Sequence, residues 1–389
     1  MQPTITNQTA PTNPDQKLSP PAPLNPHRGR FLTLTAILLT IATIPYFLYT
    51  TLQHAALAPA NLADRSWIIY GEYHGPDFIP TRHSYRLLRY FFTDFTVVQS
   101  RNGVIISESD IQFLASLPHL ETLSLTEAPY DPDWLRHLAA HSNLQSLTLN
   151  HGSLSDANIA ALATLPKLKQ LNISGPITDQ SLQHIAQHTN LTHLTLADTN
   201  ITDAGLLHLA QLKRLTHLTI WESPVEGPGL QHLTSLPLTH LTLYNTLIND
   251  ASAQLFTQLT ALEQLSLHNA QVSDLTLEQL LKLPNLASLD ISNTIIMGPY
   301  FTIPPSTAPL IKLELQNNPL SNQGLEKIAK IETLQELNIK NTHLNDDALT
   351  ALHNHPSLTT LHLDRYRFSA QAVNQLTTQN PRITIQGQP

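Results

Sequence analysis

Three histidines stand in one recurring frame. His193, His217 and His240 each follow Leu-Thr and precede a leucine. If these frames are neighbouring β-strands, about 4.8 Å apart, the imidazoles form a column on one face of a sheet. Imidazoles that close repel one another once charged, so their titrations should be coupled. Three neutral imidazoles in a straight row do not converge on one ion without a rearrangement of rotamers, so neither a metal site nor a cofactor is expected. The same frame yields further columns: Thr195, Thr219, Thr242 and Ser266, then Trp221, Tyr244 and His268, and at the flank Asp198, Glu222, Asn245 and Asn269. Aromatic rings among polar groups are what protein-binding hot spots use. Thr and His columns would equally keep an exposed parallel sheet soluble, and the residue types leave both readings open. Most of the remaining histidines, such as His184, His188, His208 and His232, fall at positions read as solvated surface.

The elements that must position these columns repeat. The pattern Leu-x-x-Leu-x-Leu, then a short turn and a capped apolar helix, begins at Leu120, Leu144, Leu168, Leu191, Leu215, Leu238, Leu262, Leu286, Leu310, Leu334 and Leu358. Within "LTHLTLADTNITDAGLLHLAQLKR", Leu191, Leu194 and Leu196 begin a strand and Ile201 closes the turn. Thr202 is placed to cap a helix, and Asp203 sits in its first turn, where negative charge favours the helix dipole. Ser155, Thr178, Asn249, Ser273, Ser321, Asn345 and Ser369 hold the same cap position. Leu206, Leu209 and Leu212 form a stripe against the strand. A single unit cannot bury both of its faces, so stacking is required, with a continuous core and a parallel sheet on one side.

This pattern resembles the leucine-rich-repeat family over residues 92–387, and most of all its short bacterial variety with "ITDxGL" turns, often found in membrane-anchored proteins. The resemblance implies an α/β solenoid with strands on a concave face and helices outside, and a binding function, usually toward protein. It supplies no catalytic residues. The turn position often filled by asparagine in that family holds Thr199, Thr246, Thr294 and Thr342 here, with asparagine only at Asn318, so a continuous asparagine ladder is not expected. Residues 82–119 read as an N-terminal cap: an amphipathic aromatic helix, a strand at Phe95 and Val97, then a helix at Ile111, Leu114 and Leu117. Residues 120–389 hold eleven units, and Ile383 and Ile385 mark a terminal half-repeat strand. One unit is damaged. Gly298, Pro299, Pro304, Pro305 and Pro309 stand where its helix belongs, so an extended segment on the convex side is expected, either a tolerated irregularity or a docking site or hinge.

The N-terminal part has a different composition. Residues 1–30 are rich in Pro, Thr, Asn and Gln and are expected to be a disordered tail. Residues 31–52, "FLTLTAILLTIATIPYFLYTTL", carry no charge and at about 1.5 Å per residue reach roughly 33 Å, enough to cross a bilayer core as one helix. Arg28 and Arg30 precede it, so the tail is expected in the cytoplasm and all that follows outside. A cleaved signal peptide, cut within "AALAPAN", is the competing reading. Residues 53–81 read as a juxtamembrane linker bearing Trp67, Tyr70 and Tyr73.

Composition narrows the function. Lys17, Arg28 and Arg30 against Asp15 put the tail at +2, which leaves −10 of the net −8 on the rest and argues against a nucleic-acid partner. The chain has no cysteine, which removes disulfides, thiolate metal sites and a cysteine nucleophile. There is no phosphate-binding glycine loop, GxSxG elbow or HExxH helix, so an enzyme is not expected. The expected role is a single-pass membrane protein that binds a protein ligand through its concave face. A structural envelope spacer is the alternative, and an enzyme with an unrecognised site a distant second.

Overall fold

The computed structural model describes residues 67–73, 93–100, 107–126, 131–139, 143–150, 154–303 and 309–387. The tail at 1–30, the apolar segment at 31–52 and the aromatic helix read in the cap lie outside these residues. Among the described residues no helix is long and apolar enough to cross a membrane.

Strands form one sheet in chain order: β1 (Trp67–Tyr73), β2 (Thr93–Ser100), β3 (Thr122–Thr126), β4 (Ser146–Asn150), β5 (Gln170–Ser174), β6 (His193–Ala197), β7 (His217–Trp221), β8 (His240–Tyr244), β9 (Gln264–Ser266), β10 (Ser288–Asp290), β11 (Lys312–Glu314), β12 (Glu336–Asn338), β13 (Thr360–His362) and β14 (Thr384–Gln386). β1 runs antiparallel to β2, and each later strand is parallel to its predecessor. β1 lies inside the segment read as a linker, so the sheet starts well before the expected cap. The strand expected at Phe95 and Val97 is β2, and the terminal half-repeat strand is β14.

The register follows the leucine frame. Leu171 pairs with Leu194, Leu194 with Leu218, Leu218 with Leu241 and Leu241 with Leu265. Because side chains alternate along a strand, fixing the leucines on the inner side puts the intervening residues on the open side. The inner leucines meet the helical stripe: Leu194, Leu196, Ile201, Leu206, Leu209 and Leu212 are all buried in one continuous core.

The return segments are shorter than the pattern suggests. The helix of the "LLHL" unit spans only Leu206–Leu209, and the next unit has a 3-10 helix at Pro228–Leu233. After the strand and turn, a unit of this length leaves room for about two turns, and the tighter 3-10 winding covers the same rise with fewer residues. The cap residues act as expected: Thr178, Asn249, Ser273, Asn345 and Ser369 each accept from a backbone N–H in the first turn.

Where an aspartate follows the cap, as it does after Ser155, Thr178, Thr202, Asn249, Ser273 and Asn345, it does more than face a helix dipole. Its carboxylate accepts from the cap of the next unit. Asp156 takes the Thr178 N–H (2.9 Å) and the hydroxyls of Thr178 (2.7 Å) and Ser181 (2.5 Å). Asp179 takes the N–H and hydroxyl of Thr202, and Asp250 those of Ser273 with the Thr276 hydroxyl. Asp203 accepts three backbone N–H groups, from Glu226, Gly227 and Gly229. These clasps hold Asp156 and Asp250 below the usual carboxylate range: burial pushes their pKa up, and the hydroxyl and backbone donors outweigh it.

The damaged unit is held by the same device. Asp274 accepts from the N–H groups of Met297, Gly298 and Tyr300, and among the described residues no helix lies between β10 and β11. Phe301 is fully buried and fills the place of a helix leucine. The Lys327 ammonium donates to the carbonyls of Pro299 and Phe301, both at 2.6 Å, and lies over the Phe301 ring. Gly298 is required: its φ is +98°, and a Cβ there would fall 2.0 Å from Gly324 Cα. Tyr300, 79% exposed, stands with Leu275, Ile295 and Met297 around a shallow apolar hollow.

Candidate binding surface

The register sets His193, His217 and His240 directly opposite one another on β6, β7 and β8. Their rings stack, with centroids 4.1 and 4.0 Å apart and planes within 19° and 13°. The preceding threonine fixes each ring. Thr192, Thr216 and Thr239 each place Oγ1 2.9 Å from Nδ1 of the adjacent histidine. Each hydroxyl also lies 3.1–3.3 Å from the carbonyl of the strand before it: Lys169, Thr192 and Thr216 in turn. A carbonyl can only accept, so a hydroxyl serving both neighbours gives its proton to the carbonyl and receives one from Nδ1–H. The neutral rings are therefore held as the Nδ1–H tautomer, and Nε2 is the free acceptor. The pKa of His217, the middle ring, is lowered, first by burial and then by the charges its neighbours would carry. Among the described residues no group of three or more His, Cys, Asp or Glu is arranged to hold a metal ion.

One column over, Trp221 is opposite Tyr244 in the register. The two rings meet edge to face at 5.0 Å, and Tyr244 stacks on His268 at 4.6 Å. Trp221 remains 46% exposed. The His268 imidazole lies within reach of two further groups, the Asn293 carboxamide at 2.6 Å and the Asp290 carboxylate at 3.9 Å.

Asp198 and Glu222 lie just past the ends of β6 and β7. Both are in the left-handed backbone region, with φ of +54° and +51°. So are Asn245, Asn269, Asn293, Asn317 and Asn341 in the units that follow. The left-handed turn ends the strand while the N–H still pairs across: Asp198 donates to the Trp221 carbonyl and Glu222 to that of Tyr244, both at 3.0 Å. Asparagine tolerates this conformation well, which accounts for its recurrence, and glutamate does not. An exposed chain of amides results, in which Asn341 donates to Asn317, Asn269 to Asn245 and Asn245 to Glu222. At the inner turn position Thr199, Thr246, Thr294 and Thr342 are buried and form no continuous ladder; only Asn318 threads several groups, from Ile291, Leu315 and Ile296.

The sequence reasoning named the histidine and aromatic columns and Asp198, Glu222, Asn245 and Asn269, but not the threonines that orient the histidines, nor Asp290, Asn293, Asn317 and Asn341. It also missed a recess of about 560 Å³ between β4 and β7. Its walls include Asn150, Asn172, Ser174, Asp198, Trp221 and Glu222. Asn150 and Ser174 belong to the Trp221 column in earlier units, so reading that column backwards would have reached them. One expectation is corrected. His188 is not solvated surface but 5% exposed, with Nδ1 3.3 Å from the Leu165 carbonyl, and burial lowers its pKa. It lies between the helix at Asp179–Ile185 and β6, where the chain returns to the sheet.

The sheet of consecutive parallel strands, backed by short helices and stepped by the leucine frame, decides the architecture. The fold is that of leucine-rich-repeat proteins. The chain is similar to an internalin from Listeria monocytogenes, with a TM-score of 0.54 and 22% identity over 75% of this chain and 86% of that one. It also matches a leucine-rich-repeat protein of Leptospira interrogans at a TM-score of 0.45 and 18% identity, over 74% of this chain and 82% of that one. At these identities the likeness concerns the fold alone. No family model matches the sequence, and no curated protein does.

Proposed function

We propose that this leucine-rich-repeat array binds a protein partner on the open, concave face of β6 to β9. The supporting observation is Trp221, a large ring left 46% exposed among polar side chains and beside a recess. Exposed tryptophan at the centre of a polar rim is the usual make-up of an energetic hot spot. The 24-residue units and "ITDxGL" turns fit the short bacterial type of the family. Residues 31–52 would anchor the array as a single span and present it outside the membrane, as the positive flank at Arg28 and Arg30 indicates. The structural-spacer reading draws on the face beyond β9, where Lys312 is absorbed in ion pairs with Glu314 and Glu336 and the His362 ring lies 3.4 Å from Glu336.

Photo-crosslinking separates the two. A benzoylphenylalanine at Thr219, on the open face, should trap a discrete protein partner in cells, and one at Gln254, on the helix side, should not. Equal trapping at both positions, or none at Thr219, would remove the concave-face reading. For topology, a reporter fused after Pro389 should be active only outside the membrane.

A further inference from the structure

The open face of β6 to β9 is chemically one-sided. His193, His217, His240 and Trp221 stand on it among threonines and other neutral side chains, and none of the residues on this face is Lys or Arg. The nearest cations along the sheet are engaged elsewhere: Lys169 Nζ donates to Gln145, and Lys312 pairs with Glu314 and Glu336. Beside neutral hydroxyl, amide and indole groups, the surface offers a row of ring acceptors, two carboxylates and π-faces. The three Nε2 atoms form a row of lone pairs, because the threonines hold every Nδ1–H. Asp198 and Glu222 place carboxylates at the rim of the recess, with Trp221 as its wall. Each carboxylate has one neutral donor, Ser174 for Asp198 and Asn245 for Glu222, and among the described residues neither has a cation.

A face with two carboxylates, a row of Nε2 acceptors and no cation is complemented by a cation that only donates. Ammonium and guanidinium both qualify, but the recess favours the planar one. Guanidinium lies flat on an aromatic face while its in-plane N–H groups reach carboxylates on either side. We infer that the partner presents an arginine-bearing segment, with one guanidinium seated against Trp221 between Asp198 and Glu222 and further donors laid along the Nε2 row. This rests on the concave-face reading and gives it a partner chemistry. It also gives acid sensitivity: a protonated imidazole has no Nε2 acceptor left and repels a cation. The charged groups around the row are Asp198 and Glu222 past the strand ends, with Lys169 and Glu263 in the threonine column that precedes it.

The test uses the full chain and labelled, end-blocked peptides of alternating glycine and arginine, with citrulline and glutamate counterparts, followed by fluorescence anisotropy near physiological salt. Citrulline keeps the shape and removes the charge. The arginine peptide should bind about tenfold more tightly than the citrulline one, on the scale of a charge-assisted bidentate contact. Both Trp221→Ala and the pair Asp198→Asn with Glu222→Gln should remove that preference, and so should acidification from pH 7.5 to 5. The helix-side pair Glu326→Gln with Glu332→Gln should retain it, which sets the site apart from the chain's bulk negative charge. Circular dichroism checks that each variant is folded. Equal binding of arginine and citrulline peptides, or an equal loss from the helix-side pair, overturns the inference. If that happens while crosslinking at Thr219 still traps a partner, the concave-face reading stands and only the arginine chemistry falls.

Discussion

Replacing Asp250 by alanine tests whether the carboxylate clasps join the units. The change deletes the acceptor of the Ser273 N–H (2.9 Å), the Ser273 hydroxyl (2.6 Å) and the Thr276 hydroxyl (2.6 Å). Ser273 is half-exposed and its two donors would turn to water at little cost. Thr276 is 0% exposed, so its hydroxyl would be stranded, at about 1–3 kcal/mol. With the charge-assisted part of the Ser273 contacts added, the junction should lose about 2–4 kcal/mol. A solenoid unit touches only its neighbours and need not unfold with the whole array, so a global melting curve would blur the effect. Amide hydrogen exchange reads it locally. Exchange in the helix at Asp274–Leu280 should accelerate by about thirty- to several-hundred-fold, since each 1.4 kcal/mol is a factor of ten. Asp250→Asn, which keeps one acceptor oxygen, should fall between. Asp347→Ala, at an exposed position of a later unit, should change its own helix by under about 0.5 kcal/mol. If the two alanine variants exchange alike, the clasp contributes nothing and the units cohere through leucine packing alone.

Three further outcomes follow from the same geometry. Leu218→Ala should cost about 2–5 kcal/mol in urea unfolding, whereas Thr219→Ala, on the open side, should cost under about 0.5 kcal/mol; equal losses would put the register in error. Glu222→Asn should raise stability by about 1 kcal/mol by easing a left-handed backbone, and Glu222→Val should lower it, with a flat response speaking against strain at that turn. Burial lowers the pKa of His188, His217 and His355 in the folded chain, so the unfolded chain binds more protons just below pH 6.5. The stability they contribute is complete above that value and drains as pH falls through their lowered folded values; a urea midpoint unchanged between pH 7 and 5 would contradict this.

The leucine frame was legible because burial on one face imposes it on every unit, and the ring columns came with it once the register was set. What stayed hidden depends on contacts across units. Asp203 reads locally as a dipole partner, and only the neighbouring unit reveals that it receives the Glu226, Gly227 and Gly229 amides. The flanking Asp198, Glu222, Asn245 and Asn269 were noticed as polar, yet their shared left-handed turn is a backbone property that recurrence of asparagine only hints at. The prolines of the damaged unit announced a missing helix, but Phe301 as its replacement and Lys327 as its tether join residues 26 positions apart. β1 went unread because its pairing with β2 is antiparallel and falls outside the repeat.

The steps of the register make the width of the surface a countable quantity. His217 pairs with His240, and Leu218 with Leu241, across an offset of 23 residues. Excising residues 217–239 would therefore join Thr216 to His240 in an unchanged frame and set that ring directly on His193. The stack would hold two imidazoles, Trp221 and Glu222 would be gone, and Asn245 would succeed Asp198 along the rim. Duplication of the same stretch would do the reverse. Recombination between units can thus lengthen or shorten this surface in increments of one strand, about 4.8 Å, and add or delete its aromatic wall in a single event while each remaining leucine keeps an equivalent partner.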